Sequence, residues 1–270
     1  MRDRRTLGCV LRHAVATPGR AGLLAVLAVV SVLAAGCGGG DAVAPPGQHF
    51  GTRIDQPVPS RLLGLPLRDQ DGRVRHLADY RGKVLVISDA MTLCQETCPL
   101  DTAQVVQTAR DLDRSGRGRG VQFLSITVDP QRDTPPQLAA YRKLFRQAPA
   151  NWDLLTGSPA DIHALWKWFG VYWKKVPQHD QPPPRNWRTG KPLTYDVTHS
   201  DEVFFLRGGH ERFVLEGMPH LASGSEIPRR IRHFMSAQGR HNVDHPEPYA
   251  WTTDQAVRVI RWLLGRPSGG

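Results

Sequence analysis

Cysteine is scarce in this sequence, and the apolar run near its start is short. The 270 residues include only four cysteines, and no internal repeat is visible. The apolar stretch at residues 23–35 is shorter than the roughly 20 residues that a membrane-spanning helix needs. Aromatic residues make up only 7% of the chain, but seven Trp and a hydrophobic content of 40% support a real core. The length suits one sizeable α/β domain with embellishments, or two small domains.

Charge does not point to nucleic acid. The formal net charge is +10, and the first 36 residues contribute +4 of it through five Arg and one Asp. The remaining positive charges are scattered. The small basic cluster at residues 114–119 lies between a predicted helix and a predicted strand, which favours a solvated turn. We therefore expect no nucleic-acid partner, and a positive surface of this kind suits anionic lipid.

Residues 1–36 have the pattern of an export signal. Positive residues come first, an apolar stretch follows, and small residues end at Gly36-Cys37. Residues 33–37 resemble a bacterial lipobox, in which the Cys receives lipid and becomes the first mature residue. We therefore predict a lipid on Cys37, a flexible tether over residues 37–59, and anchoring to the extracytoplasmic face of the bacterial cytoplasmic membrane. The alternatives are a cleaved soluble protein and an uncleaved anchor.

Hydrophobic periodicity predicts an α/β domain over residues 60–266. Strands alternate with helices, which implies a mostly parallel sheet with helices on both faces. An N-terminal β-hairpin is predicted, with strands at residues 62–67 and 74–77 around the turn at residues 69–72. A long polar loop is predicted at 174–194, and an insertion at 219–251 before the final helix. The remaining predicted strands are 84–88, 121–128, 152–155, 202–206 and 212–215. The predicted helices begin at Pro99 and cover 135–145, 158–169, 227–235 and 253–264. Capping boxes are predicted at residues 134–137 and 252–255.

Only two cysteines remain for chemistry in the folded domain. Cys9 falls in the signal and Cys37 is the predicted lipid site, which leaves Cys94 and Cys98. Two cysteines four residues apart in an exported protein can form a disulfide or bind a metal. Pro99 opens a helix whose N-terminus stabilises a thiolate at Cys98. Three intervening residues give the loop room for an ion, whereas a disulfide closing so small a ring gains little stability.

The sequence resembles the Sco/SenC family of thioredoxin-like copper proteins. The resemblance covers about residues 62–215, in the order that the family has. The matching motifs are Cys94-Gln-Glu-Thr-Cys98-Pro99, Val128-Asp-Pro-Gln-Arg-Asp-Thr-Pro-Pro-Gln-Leu138, Leu155-Thr-Gly-Ser-Pro-Ala-Asp-Ile162, Gly170-Val-Tyr-Trp173 and His199-Ser200. The resemblance implies a thioredoxin-like fold with a central mixed sheet flanked by helices and with the N-terminal hairpin.

The same resemblance implies a copper site and a role. His199 would complete a ligand set with Cys94 and Cys98, which suits Cu(I) and can also hold Cu(II). A structural zinc site normally takes four ligands, and the sequence offers no well-placed fourth one. The implied protein is a copper chaperone rather than an enzyme. It would deliver copper to the dinuclear site of cytochrome c oxidase, with the copper-site subunit or another copper acceptor as its partner.

Two other interpretations of the motifs remain open. The Cys94–Cys98 pair could act as a thiol-disulfide oxidoreductase on cysteines of a copper acceptor, itself forming a disulfide when oxidised. Residues 197–201 lack the Pro usual in such reductases, which favours metal binding. Asp129 and Asp133 could form a catalytic carboxylate pair, but their positions favour a strand end and a helix entry.

A second group with metal-ligand spacing lies near the C-terminus. His241 and His245, with Asp244 between them, are spaced like metal ligands. They lie in a Pro-containing stretch, so we expect a solvated loop there.

Overall fold

The computed structural model describes residues 43–47, 49, 51–221 and 226–265. The strands of this part of the chain are β1 (Thr52–Pro57), β2 (Leu67–Asp69), β3 (Val74–Arg75), β4 (Val84–Ala90), β5 (Val121–Thr127), β6 (Trp152–Thr156), β7 (Trp173–Pro177), β8 (Tyr195–His199), β9 (Glu202–Arg207) and β10 (His210–Glu216). The helices are α1 (Ser60–Leu63), α2 (Cys98–Arg114), α3 (Pro135–Leu144), α4 (Pro159–Phe169), α5 (Arg229–Phe234), α6 (Ala237–Asp244) and α7 (Thr253–Leu264).

Eight strands form one mixed sheet in the order β1-β10-β9-β4-β5-β6-β2-β3. Strands β4, β5 and β6 are parallel, and β9 pairs antiparallel with β4. The unit β4-α2-β5 and the unit β9-β10-α7 each contribute two strands to the adjacent set β10-β9-β4-β5. This is the arrangement of the thioredoxin fold. The predicted thioredoxin-like fold with a central mixed sheet is therefore confirmed.

Strands β4 and β5 form the centre of the sheet because both of their faces are covered. Every residue of these two strands is buried, as expected of parallel strands between two helical layers. Side chains alternate along β4: Val84 and Val86 belong to one core cluster, and Leu85 and Ile87 to the other. The first core lies under α2, α3 and α7, and the second under α1 and α4.

Strands β7 and β8 form a separate two-stranded antiparallel sheet. We call residues 173–199, which comprise these strands and their connection, the arm. The sequence predicted a loop from residue 174 to 194, and this was wrong for the part that belongs to β7. The strand is held by main-chain pairing with β8, while Lys174, Lys175 and Pro177 are exposed, so no apolar alternation marks it.

The expected tether at residues 37–59 also contains a strand. Strand β1 pairs antiparallel with β10 at the edge of the main sheet, so the sheet begins before residue 60 and the tether prediction was wrong for Thr52–Pro57. All but one of the strand's residues are exposed. Main-chain hydrogen bonds, rather than a buried side-chain face, therefore place this strand, and the sequence pattern does not reveal it.

The N-terminal hairpin exists but is shorter than predicted. It consists of β2 and β3, and Gly72 supplies the positive φ of 80° that the turn requires. The apolar run predicted to start this hairpin instead begins in α1, where Leu62 is 1% exposed. A short apolar run fits either a strand or a buried helix, and packing against the core decides between them here.

The predicted insertion at 219–251 contributes to the first core. Ile227, Ile231, Met235 and Trp251 are buried in that cluster. Besides the predicted helix, now bounded as α5, the segment contains α6, which the sequence did not predict. The start of α7 was predicted correctly, because Thr252 and Gln255 form the expected capping box.

Parts of the chain's start lie outside the described residues. They include Cys9, Cys37 and the predicted signal at 1–36, so the lipid site stays a prediction. Within the ranges that the structure describes, no helix has both the length and the hydropathy needed to cross a membrane.

Candidate metal centre

Three elements of the fold bring Cys94, Cys98 and His199 together. Cys94 lies in the loop after β4, Cys98 begins α2, and His199 ends β8. One potential ligand atom from each residue lies within 4.8 Å of the other two, and Cys98 Sγ is 3.1 Å from His199 Nε2. The sequence therefore predicted the right three residues to converge, although their role as metal ligands stays a prediction.

The separation of these atoms suits one soft metal ion. Thiolate and imidazole ligands bind such ions at about 2.0 to 2.3 Å, so two ligands of one ion lie within about 4.6 Å of each other. Both cysteines are free and buried, which leaves their sulfurs available. Thiolate sulfur and imidazole nitrogen together favour copper or zinc over the harder magnesium and calcium ions.

The segment before Cys94 is fixed by a buried polar network centred on Thr92. The Thr92 main-chain N–H donates to Asp133 Oδ2 at 3.2 Å, and its hydroxyl also donates to Asp133. Gln137 Nε2 donates to Thr92 Oγ1 at 3.1 Å, and Trp187 Nε1 donates to Thr92 O at 2.8 Å. This network holds the chain that leads into the first cysteine.

The side chains of Asp129 and Asp133 make structural contacts in the segment between β5 and α3. Asp133 also accepts from Thr127 Oγ1 at 2.7 Å, and Asp129 pairs with Arg132. Burial raises the pKa of Asp133 to about 6. Both carboxylates lie where a strand ends and a helix begins, and the structure gives both of them partners within the fold.

Helix α3 begins at Pro135, close to the predicted position, but its predicted capping box is absent. Thr134 makes no side-chain capping hydrogen bond. Gln137 donates to Thr92 instead and accepts from Arg188 Nε at 2.7 Å. Tertiary partners for Gln137 therefore replace the local capping bond.

The orientation of the His199 ring is set from its Nδ1 side. Nδ1 lies 2.6 Å from Asp89 Oδ2 and 2.9 Å from the main-chain oxygen of Ser200. The Ser200 oxygen and the Asp89 carboxylate beside Nδ1 favour a proton on that nitrogen. In the neutral imidazole that metal binding requires, Nε2 would therefore face the Cys98 sulfur with its lone pair. A carboxylate behind the imidazole is the arrangement common around ligating histidines.

Sequence reasoning missed Asp89 and Asp201, the two carboxylates nearest the histidine. Asp201 Oδ1 is 3.7 Å from His199 Nδ1 and accepts from Thr97 Oγ1 at 3.2 Å. Asp89 has a detectable signal, because it is an ionisable residue inside the buried run of β4. Burial raises the pKa of Asp201 to about 7. Asp101, in the first turn of α2, also has a pKa well above its usual value because of burial and the nearby carboxylates.

The two cysteines differ in acidity. The hydrogen bond that Cys98 provides lowers the pKa of Cys94 well below its usual value, outweighing the effect of burial. Burial and the neighbouring Cys94 sulfur raise the pKa of Cys98 well above its usual value. The expectation that the helix N-terminus would stabilise a thiolate on Cys98 was therefore wrong. Cys98 is only 1% exposed, and desolvation of its sulfur is the largest cause of the raised pKa.

The imidazole completes this charge arrangement. Burial lowers the pKa of His199, but the hydrogen bonds to Asp89 and Cys94 outweigh it and leave this pKa well above its usual value. The two shifts favour the thiolate form of Cys94 and the protonated form of His199.

His241 and His245 do not join this centre. His241 and Asp244 lie on α6 rather than in a loop, and His245 directly follows the helix, so the loop prediction was wrong. The rings of His241 and His245 stack with centroids 4.0 Å apart. Within the described residues, they form no cluster with a third potential ligand.

The fold and the site together define a class of protein: a thioredoxin-like domain with a Cys-x-x-x-Cys loop at the start of a helix, facing a histidine from a later strand. The chain belongs to the SCO1/SenC family, whose model matches residues 65–236.

Individual relatives cover parts of the chain. It is 29% identical to the mitochondrial SCO2 homolog of Bos taurus over 63% of this chain and 58% of the relative. It is 30% identical to the SCO1 homolog of Bacillus subtilis over 48% of this chain and 68% of the relative. A solved structure of Bradyrhizobium japonicum ScoI with copper bound is 22% identical, with a TM-score of 0.43, over 68% of this chain and 96% of that one. The matched stretch thus spans little more than half of the bovine relative.

Proposed function

We propose that this protein is a copper chaperone that carries one copper ion on Cys94, Cys98 and His199. The observation that carries the proposal is the convergence of two sulfurs and one imidazole nitrogen within 4.8 Å. Two thiolates and an imidazole are soft ligands suited to Cu(I), and the set can also accept Cu(II). Membership of the SCO1/SenC family supports copper over zinc.

The proposed role is delivery rather than turnover. Copper would pass to the dinuclear copper site of cytochrome c oxidase, or to another copper acceptor, by stepwise exchange of ligands. Three ligands leave the ion open to an incoming acceptor ligand, whereas a closed four-ligand site would not. The surrounding carboxylates Asp89 and Asp201 favour a bound cation, and Asp89 keeps Nε2 of His199 aimed at it.

Copper titration of purified, reduced protein tests this function. We expect one copper per chain, and we expect Cys94→Ala with Cys98→Ala to abolish tight binding. Met91→Leu is the matched control, because it changes a buried residue of the same loop without removing a proposed ligand. Full copper occupancy in the double variant would contradict the proposed site.

The proposed location is the outer face of the bacterial cytoplasmic membrane, with a lipid on Cys37. The support is the signal pattern and the lipobox resemblance of residues 33–37. Metabolic labelling with a fatty acid should mark the wild type and not Cys37→Ser. Equal labelling of both proteins would rule out this anchor.

A second candidate, a thiol-disulfide oxidoreductase, is favoured by the unequal burial of the cysteines. Cys94 is 8% exposed and Cys98 only 1%, which suits an attacking sulfur and a buried resolving sulfur. In that reaction the Cys94 thiolate attacks an acceptor disulfide and displaces one acceptor thiolate. Cys98 then attacks the mixed disulfide, which leaves a Cys94–Cys98 disulfide and a reduced acceptor. A reductase assay on a disulfide-bonded copper acceptor tests this candidate.

A further inference from the structure

The loop between the two cysteines is held from outside by the segment that joins α5 to α6. The main-chain N–H of Ser236 donates to the main-chain oxygen of Gln95 at 3.0 Å. In return, Gln95 Nε2 donates to the main-chain oxygen of Phe234 at 2.8 Å. Gln95 is the residue directly after Cys94, so these two reciprocal bonds act on the metal loop itself.

Gly239, in the first turn of α6, shows how closely the two backbones approach. A Cβ at Gly239 would lie 2.1 Å from Gln95 O and 3.0 Å from Glu96 Cα. Glycine inside a helix costs about 0.5 to 1 kcal/mol relative to alanine. The close approach of the loop gives this position a physical reason to lack a side chain.

The contacting segment is itself anchored. Ile231 and Met235 are 1% and 2% exposed and belong to the first core. Ser236 Oγ accepts from the main-chain N–H of Gly239 at 3.0 Å, which caps α6 and fixes its first turn. The contact therefore connects the metal loop to the core. Helix α6 lies beyond the stretch at 65–236 that matches the family.

We propose that residues 234–239 form a clamp that positions the Cys94–Cys98 loop for metal binding and favours the dithiol over the disulfide. The copper part of this inference rests on the proposed function, whereas the thiol part does not. A functional site needs its groups within about 0.5 Å of the productive geometry. Both cysteines are free thiols, and a disulfide would bring their sulfurs to about 2.05 Å. The clamp opposes the movement of the loop that brings the two sulfurs together.

Two pairs of variants in the full-length protein test the clamp. Ser236→Pro removes the N–H that Gln95 accepts, and the φ of −65° at this position suits proline. Ser236→Ala is its control, because it loses the side-chain cap but keeps the N–H. Gly239→Ala pushes the loop away, and Gln238→Ala is its control on an exposed position of the same helix.

Two measurements are made on each variant after its folding has been checked by circular dichroism. The first is Cu(I) affinity by competition with a chelator. The second is the dithiol–disulfide equilibrium in glutathione buffers. There, the two thiols lose two electrons and two protons to form the disulfide, and glutathione disulfide is reduced to two thiols. We expect Ser236→Pro and Gly239→Ala to weaken copper binding about tenfold and to shift the equilibrium about tenfold toward the disulfide. Gln238→Ala should stay near wild type, and Ser236→Ala should show only the smaller effect of losing the side-chain cap.

The two measurements separate the possible failures. Wild-type copper affinity and wild-type redox equilibrium in both folded test variants would overturn the clamp while the chaperone function stands. If wild-type protein fails to bind copper, the chaperone proposal fails, and the glutathione equilibrium alone decides the clamp. If Gly239→Ala does not fold, Ser236→Pro against Ser236→Ala supplies the decision.

Discussion

The loop that carries the two cysteines and the arm that carries His199 are attached to the fold in different ways. Residues 91–94 of the loop are all buried, and Thr92 is bonded on three sides. In the arm, Lys174, Lys175 and Thr198 are exposed, and β7 and β8 pair with each other and not with the main sheet. The connection between these two strands contacts the cysteine side through Trp187 and Arg188, so the comparison concerns the strands themselves. The His199 side chain contacts the main sheet through Asp89 of β4.

This difference bears on how copper would leave the site. Buried and densely bonded segments open rarely, whereas exposed two-stranded segments open at low free-energy cost. Under the proposed function, we therefore expect the cysteines to keep the copper while His199 is released first to admit a ligand of the acceptor. Four predictions follow this comparison from the more rigid region to the less rigid one.

The largest effect is expected from Asp133→Ala, which disrupts the hydrogen-bond network that holds the cysteine loop. This change leaves the Thr92 N–H, the Thr92 hydroxyl and the Thr127 hydroxyl without their buried acceptor. We expect the free energy of unfolding to fall by about 3 kcal/mol, measured by urea denaturation. Asp71→Ala, a change of an exposed turn residue, is the control. A loss below about 1 kcal/mol would show that the network does not hold the loop.

The same carboxyl group predicts a pH dependence of stability. Burial raises the pKa of Asp133 to about 6, above the unfolded value of about 3.9. The folded state therefore binds the extra proton between these values, and stability falls as pH rises from about 4 to 6, by roughly 2 kcal/mol. Asp133→Asn mimics the protonated form and should flatten this part of the curve. An unchanged slope in Asp133→Asn would assign the pH dependence to other groups.

The third prediction concerns His199, the proposed copper ligand that lies in the arm. His199→Ala should weaken copper binding by at least about tenfold, or roughly 1.4 kcal/mol, because it removes one of three ligands. It should change the reactivity of the cysteines toward an acceptor disulfide far less, since exchange needs only two sulfurs. Thr198→Ala, an exposed neighbour, is the control. Unchanged copper affinity with lower reductase activity would favour the oxidoreductase over the chaperone.

The smallest effect is expected from Lys175→Ala within the arm. Lys175 Nζ lies 3.6 Å from the centroid of the Tyr195 ring and 3.3 Å from Gln131 Oε1. Exposed contacts of this kind contribute about 0.5 kcal/mol. We expect global stability to change little and amide exchange in β7 to become faster, with Lys174→Ala as the exposed neighbouring control. Identical exchange in the two variants would show that this contact does not hold the arm.

The sequence by itself determined the central elements and the three converging residues. Apolar β-branched runs marked β4 and β5, and Pro99 marked the start of α2 to within one residue. These features have local causes, namely side-chain periodicity and the fixed backbone of proline. The spacing of Cys94 and Cys98 singled out that pair, and the resemblance to the Sco/SenC family added His199.

Only the tertiary structure decided what surrounds these residues. The carboxylates at Asp89 and Asp201, the low pKa of Cys94, and the contact of Gly239 with Gln95 all join positions that lie close only in the folded chain. Strands β1 and β7 also escaped sequence analysis, because main-chain pairing places them without a buried side-chain pattern. Sequence periodicity reports which face of an element is buried, whereas hydrogen-bond partners and desolvation depend on which distant residues the fold brings into contact.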